Sequence, residues 1–312
     1  MTLDIVTTNG AAIAPAGDQF TPIIDLVTVG LTSAHSKRAY KRILDGFLSW
    51  YDDQGRPGFT KATVNRYREH LLEAGLGAAA VNQSLSAIRR LAVEAADNGL
   101  IDPQAAAGVG RVKGVKQQGR RAGNWLEEED AQRLLYAPDT STLKGLRDRA
   151  LLAVLLGGAL RRFEAAALTF EHIQQRDGRW AIVDLVGKGR RIRLVPIPPW
   201  TKVAIDAWAA AAGLDQGLIF RPVDKGGRLE RGRGITPQAI YNVVAEYAAA
   251  AGLDAAAHDL RRTFAKLAYK KGAGIDQIQK TLGHATILTT ERYLGVDQDL
   301  TNAPCDVLGL HL

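Results

Sequence analysis

The sequence predicts a two-domain protein, mainly α-helical, with one small antiparallel β-sheet. Three observations lead there. The chain has 312 residues, more than the ~100–200 of a usual single domain. Apolar residues recur at three- and four-residue steps through most of it, the mark of helices with one buried face. Two β-rich runs, 180–186 and 191–197, flank Gly187-Lys188-Gly189-Arg190 and read as a hairpin.

In order along the chain, residues 1–29 mix Gly, Ala, Pro and Thr without clear periodicity. They read as a flexible arm, with a short ordered piece near 23–29. Thr32 or Ser33 caps a helix running to about residue 51, in which Tyr40, Ile43, Leu44, Phe47 and Trp50 form one apolar face. Residues 52–58 make a turn. A second helix, 61–74, stops at Gly75, and a third, 79–98, stops at Gly99. In the third, Val81, Leu85, Ile88, Leu91 and Val93 face inward, while Asn82, Gln83, Ser86, Arg89 and Arg90 lie outside. Residues 30–110 thus form a small helical domain.

Residues 111–124 carry Arg111, Lys113, Lys116, Arg120 and Arg121, several glycines and no acid. Such a segment cannot bury a core and reads as a basic linker, either a solvated loop or chain laid along a phosphate backbone. Residues 125–298 form the second domain. Asn124 precedes Glu127-Glu128-Glu129-Asp130, an acidic first turn suited to the helix dipole. An apolar helix follows at 146–156, then the hairpin. The rest is helical apart from a basic loop at 226–234 with Arg228, Arg231 and Arg233. Residues 299–312 form an acidic, then apolar, terminal segment.

Composition narrows the class. At 46% hydrophobic and 23% charged, the chain is not globally disordered. A single cysteine, Cys305, excludes an intrachain disulfide and a Cys-rich zinc site and fits a reducing cytosol. No apolar run reaches the ~20 residues that span a bilayer. Residues 1–36 hold no Lys or Arg, so the basic leader of a secretory signal is missing. The net charge of +7 is uneven: the two ends carry six aspartates and no basic residue, which leaves 40 basic against 27 acidic between them. A basic body favours a polyanion such as nucleic acid, although a soluble basic protein has the same charge.

Four segments can carry chemistry. Arg161 and Glu164 are three apart and share a helix face, which alone reads as a structural ion pair. Lys188 sits between two glycines at the hairpin tip, where a solvated turn lysine is the plainer reading. His258 and Arg261, at i and i+3, can point at one anion or simply at solvent. His284, after Leu282-Gly283, precedes Tyr293 by nine residues. On one straight helix the two would face apart, but Gly283 and Thr286 allow a break that brings them together. No set of histidines has the spacing of a structural zinc site.

The order Arg161, Lys188, His258, Arg261, His284, Tyr293 resembles that of the tyrosine recombinase (phage integrase) family along most of the chain. The likeness takes in Arg147-Asp148-Arg149-Ala150-Leu151-Leu152, the Gly-Lys-Gly hairpin ending in Val195-Pro196, Leu-Gly-His, and Thr289-Thr290-Glu291-Arg292-Tyr293. It departs at Arg191, where relatives often carry lysine, and at Arg162-Phe163, where a small or aliphatic pair is usual.

The resemblance implies a helical core-binding (SAM-like) domain followed by a catalytic α+β domain of tyrosine recombinase type. It implies a site-specific recombinase of the simple two-domain, Xer-like kind that joins DNA strands through a 3′-phosphotyrosine. Tyr293 would be the nucleophile, Arg161, Arg261, His258 and His284 the phosphate donors, Lys188 the general acid, and Glu164 the residue orienting Arg161. No metal and no other cofactor is implied. The partners would be double-stranded DNA at specific sites and three more copies, as a homo-tetramer on two duplexes formed from a monomer in free solution. The place would be the bacterial cytoplasm, at the nucleoid, without membrane. The 299–312 segment would dock on a neighbouring protomer. The third helix (Asn82, Gln83, Ser86, Arg89, Arg90), the linker (Arg111, Lys113, Lys116, Arg120, Arg121) and the loop (Arg228, Arg231, Arg233) would touch DNA. The competing reading is a DNA-binding regulator on the same fold whose chemistry is unused.

Overall fold

A computed structural model describes residues 20–31, 33–116, 124–187 and 191–295. The chain divides into two compact units, Met1–Arg120 and Arg121–Leu312. Among the described residues no helix is long and apolar enough to cross a membrane.

Among the described residues, the regular structure of the first unit is all helix: α1 (Phe20–Val29), α2 (Ala34–Asp53), α3 (Lys61–Glu73), α4 (Ala78–Asp97) and α5 (Pro103–Gly110). Side chains of Ser33, Thr60 and Asp102 accept backbone N–H bonds at the starts of α2, α3 and α5, as N-caps do. Thr32, the other cap candidate, lies outside the described residues. The core centres on Phe47, whose ring meets those of Tyr67, Phe59, Tyr51 and Trp50 at 5.0–6.3 Å.

Three expectations need correction here. The short ordered piece expected near 23–29 is a helix that already begins at Phe20, so 20–29 is not arm: Phe20, Ile23, Ile24 and Val27 are buried, and Phe20 packs edge-on against Phe59. These four apolar positions fall at helical steps, a pattern too short to stand out beside the unpatterned chain before it. Ile24→Ala is expected to cost the first unit about 2–5 kcal/mol, a buried-aliphatic deletion. Chemical denaturation measures it, and an unchanged midpoint would restore the arm reading. Val93 is 53% exposed rather than inward. And the linker does not begin at 111. Val112 is buried, and its carbonyl accepts from Arg89 Nη2. The Lys113 carbonyl accepts from Arg68 Nη1 at 3.0 Å. Asn82 clamps Val115 from both sides, its Nδ2 donating to the carbonyl at 2.9 Å and its Oδ1 accepting the N–H at 2.8 Å.

The second unit runs α6 (Glu128–Tyr136), α7 (Leu143–Gly157), α8 (Arg162–Ala166), β1 (Ile173–Arg176), β2 (Arg179–Val186), β3 (Ile192–Pro196), α9 (Pro199–Ala212), α10 (Pro237–Ala250), α11 (Ala257–Lys270), α12 (Ile275–Leu282) and α13 (Ile287–Leu294). The sheet is antiparallel in the order β1-β2-β3, one strand more than the hairpin alone suggests. Helix α7 is buried almost all round from residue 150 on, as its apolar second half demands, and in its first half Arg147 and Asp148 are buried as an ion pair. A bulge between Ile182 and Leu185, with Asp184 at φ 52°, shifts the β2–β3 pairing so that Arg193 lies opposite buried Leu185.

Candidate active site

Helix α7 ends at Gly157, and the chain turns through Gly158, Ala159 at φ 51° and Leu160 before α8 begins. Arg161 is therefore not on the apolar helix, as its sequence position suggests, but at the extended N-cap of α8. Glu164, one turn on and almost wholly buried, accepts the Arg161 N–H at 2.7 Å and Arg161 Nη1 at 2.8 Å. It also accepts Nη1 and Nη2 of Arg193 at 2.8 and 2.9 Å. Burial pushes the carboxyl pKa up. The bonds from Arg193 and the Arg161 N–H, together with both guanidinium charges, more than offset this and hold it below the usual value. Glu164 is thus an anion at neutral pH.

Arg261, on α11, is fully buried. It survives there because Nη1 donates to the Ala159 carbonyl and Nη2 to the Leu282 carbonyl. Burial first, and the neighbouring Arg161 charge second, pull its pKa down to about 9, still ionised at neutral pH. Arg161 Nη2 reaches the same Leu282 carbonyl at 3.4 Å.

Gly283 adopts φ 61° and closes α12, and α13 starts afresh after Thr286. This break brings His284 and Tyr293 together, with ring centroids 5.2 Å apart. His258, one residue into α11 and exposed, lies 5.7 Å from the Tyr293 ring on the other side. Arg262 stacks over that ring at 5.2 Å. The Tyr293 hydroxyl is buried and has no hydrogen-bond partner among the described residues. Burial raises its pKa, while Arg261 and Arg262 pull the other way.

His284 Nδ1 lies 3.0 Å from the Thr290 hydroxyl. Burial, then the charges of Arg261 and Arg161, lower the His284 pKa to about 4. With the hydroxyl donating, the ring proton sits on Nε2, free to be given to an anion. A histidine held neutral by its fold contributes stability that is fully present above its unfolded value of about 6.5 and is lost as pH falls toward the folded value, because the unfolded chain takes the proton first. His284→Gln is expected to flatten stability between those pH values. NMR titration should find the imidazole neutral at pH 6, and ordinary titration near 6.5 would contradict it.

Five of the six expected catalytic residues, Arg161, His258, Arg261, His284 and Tyr293, thus fall in one cluster with Glu164. Lys188 lies outside the described residues, as do Arg120, Arg121, Cys305 and the 299–312 segment. The base of the Lys188 hairpin is closed by the Gly187 N–H donating to the Arg191 carbonyl at 2.8 Å. Of the expected DNA contacts, Asn82 and Arg89 are turned onto their own chain, as is Ser86, whose hydroxyl donates to the Asn82 carbonyl. Arg233 pairs with Glu230, and Arg231 leans on the Ala212 and Gly213 carbonyls. Gln83, Arg111, Lys113, Lys116 and Arg228 are exposed, and Arg90 is half-buried. Arg162, one of the two departures, stacks on Tyr241 at 5.3 Å. Arg193 was not foreseen: an arginine alternating with Ile192 and Leu194 in a β-run reads as an outward-facing residue.

A helical domain followed by an α+β domain that gathers arginines, histidines and a tyrosine around one buried carboxylate defines a class, the two-domain tyrosine recombinases. The chain belongs to the phage integrase family: the model "Phage integrase family" matches residues 124–299, and "Phage integrase, N-terminal SAM-like domain" matches 24–99. Among curated relatives, tyrosine recombinase XerD of Pseudomonas aeruginosa is 30% identical over 263 residues, 83% of this chain and 86% of that one. Tyrosine recombinase XerC of Pseudomonas fluorescens is 28% identical over 85% of this chain and 86% of its own. The fold is shared with XerH site-specific recombinase bound to palindromic difH substrate (TM-score 0.67, 20% identity, 84% of this chain and 76% of that one). It is shared as well with a lambda integrase dimer bound to a COC' core site (TM-score 0.66, 16% identity, 89% and 96%).

Proposed function

We propose that the protein is a site-specific DNA recombinase that cleaves and rejoins strands through a 3′-phosphotyrosine. The observation that carries this is the charge balance around Glu164. Arg161 and Arg193 share one carboxylate, Arg261 adds a third guanidinium nearby, and the Tyr293 hydroxyl, unpartnered among the described residues, belongs to a ring flanked by two histidines. Such a site is short of an anion, and a DNA phosphate supplies it.

Tyr293 attacks the phosphorus, the bond to the 5′-oxygen breaks, and the 3′-phosphate stays on the tyrosine. His258 takes the phenol proton, and Lys188 gives one to the departing 5′-oxygen. Arg161 and Arg261 hold the non-bridging oxygens, where charge collects, and neutral His284 donates from Nε2. A 5′-hydroxyl from another strand reverses the steps, so the phosphodiester energy is conserved and no metal or nucleotide is required. Glu164 keeps Arg161 turned to the phosphate. Four copies on two duplexes carry out the exchange, assembled from monomers in the bacterial cytoplasm. Exposed Gln83, Arg111, Lys113, Lys116 and Arg228 contribute to holding the duplex, with Arg90 beside them. The second unit carries an apolar groove of about 1110 Å³, lined by Leu135, Ala153, Trp200, Val203 and Leu267. It suits the apolar end of a neighbouring 299–312 segment.

The test is a nicked duplex, recovered by the protein from a random-sequence pool, incubated and run on a denaturing gel. A covalent protein–DNA band is expected. Tight binding without any band would favour the regulator reading instead.

A further inference from the structure

Arg193 sits the wrong way round for its strand. Its neighbours Ile192 and Leu194 are 67% and 48% exposed, while the arginine side chain between them is only 9% exposed and shares the inner face with fully buried Val195. Hydropathy alone would place the strand with the apolar pair inside. Burying a guanidinium in their place is costly unless its donors are met. They are met in three directions: Nη1 and Nη2 grip the two oxygens of Glu164, and Nε donates to the Thr281 carbonyl at 2.9 Å. The β2 bulge sets the register that turns Arg193 inward.

Two glycines make room for it. A Cβ on Gly187 would come within 2.9 Å of Arg193 Nη1, and one on Gly283 within 2.9 Å of Arg193 Cδ. Both belong to motifs already singled out, the hairpin Gly-Lys-Gly and Leu-Gly-His. The last turn of α12 is thereby held from two sides: Arg193 on the Thr281 carbonyl, Arg261 and Arg161 on the Leu282 carbonyl. His284 follows directly.

We propose that Arg193 is a positioning residue for strand cleavage. It fixes Arg161 through their shared carboxylate and His284 through the end of α12. The inference rests on the recombinase reading of this site. The role proposed for Arg193 is to hold Glu164 and the Thr281 carbonyl, on which Nη1, Nη2 and Nε all converge, rather than to bind the phosphate. Its contribution is geometric, and a displacement of about 1 Å at a reacting group costs on the order of 100-fold in rate.

The test uses the full chain with Arg193→Lys, which keeps the charge and loses the fork, and Arg193→Gln, which loses both. With the nicked duplex described above, both variants are expected to form the covalent complex on the order of 100-fold more slowly at saturating protein, with DNA affinity unchanged. The His284 amide should lose hydrogen-exchange protection while the α7 amides keep theirs. A purely structural residue would instead loosen both together. Wild-type cleavage rates in the folded variants would overturn the proposal, as would a loss explained by weaker DNA binding. Should Arg193→Gln not fold, Arg193→Lys decides alone. If the wild type itself forms no complex, the recombinase reading fails, and the exchange measurement still judges Arg193: unchanged protection at His284 in Arg193→Lys overturns it.

Discussion

Tyr293→Phe is expected to yield no covalent protein–DNA complex, to bind DNA as the wild type does, and to unfold at slightly higher denaturant. The first result follows from chemistry: phenylalanine has no atom to form the phosphodiester. The last follows from the packing. The Tyr293 hydroxyl is buried with no partner among the described residues, and burial has pushed its pKa up. An unsatisfied buried polar group costs about 1–3 kcal/mol, which its removal recovers. The ring itself stays, with its contacts to His258, His284 and Arg262. Equilibrium unfolding by urea, read beside the denaturing gel, separates the two effects. A destabilised variant would mean that the hydroxyl is bonded in the free protein. A covalent band would remove Tyr293 from the nucleophile's role altogether. The combination expected, a site residue that costs stability in the free state, is how function and stability commonly trade against one another.

Much of the site was legible because its chemistry is carried by residue types in a fixed order. The break at Gly283 could also be read, since nine residues of straight helix would have set His284 and Tyr293 apart. Three things were not legible, each for a physical reason. The α1 helix showed only as a short ordered piece near 23–29, because its four buried positions span barely two turns and the sequence before them has no periodicity. The inward turn of Arg193 depends on a bulge in the neighbouring strand, and register between strands is a tertiary property that periodicity along one strand does not contain. And Asn82 and Arg89, polar and on the outward side of α4, looked free for DNA. Their partners are backbone groups 23–33 residues further on, in a segment whose composition resembles an unstructured linker. Side-chain polarity shows that a partner is needed and leaves open which one.

The two arginines expected to hold the phosphate are not equivalent in the fold, and their replacement should separate them. Arg161→Gln removes a half-buried guanidinium. Its partner Glu164 keeps the two bonds from Arg193, so no charge is left stranded. Stability should fall by about 1–2 kcal/mol, the scale of a hydrogen bond to a charged group, while cleavage falls on the order of 10²–10³-fold for one lost donor. Arg261→Gln is different. The guanidinium is buried and bridges two carbonyls 123 residues apart in the chain, Ala159 at a left-handed turn and Leu282 at the end of α12. Glutamine cannot span them, so the Ala159 carbonyl loses its donor, the Leu282 carbonyl keeps only the longer bond from Arg161, and the direct bridge between the two turns is lost. Stability should fall by about 3–5 kcal/mol, as when one partner is taken from a buried charged network. Cleavage should fall further than for Arg161→Gln, because a phosphate donor and the placement of two others are lost together. Urea midpoints and single-turnover rates at saturating protein measure both quantities. Equal stability losses in the two variants would mean that Arg261 is not the brace between α12 and the α7–α8 turn, and that its burial has some other cause.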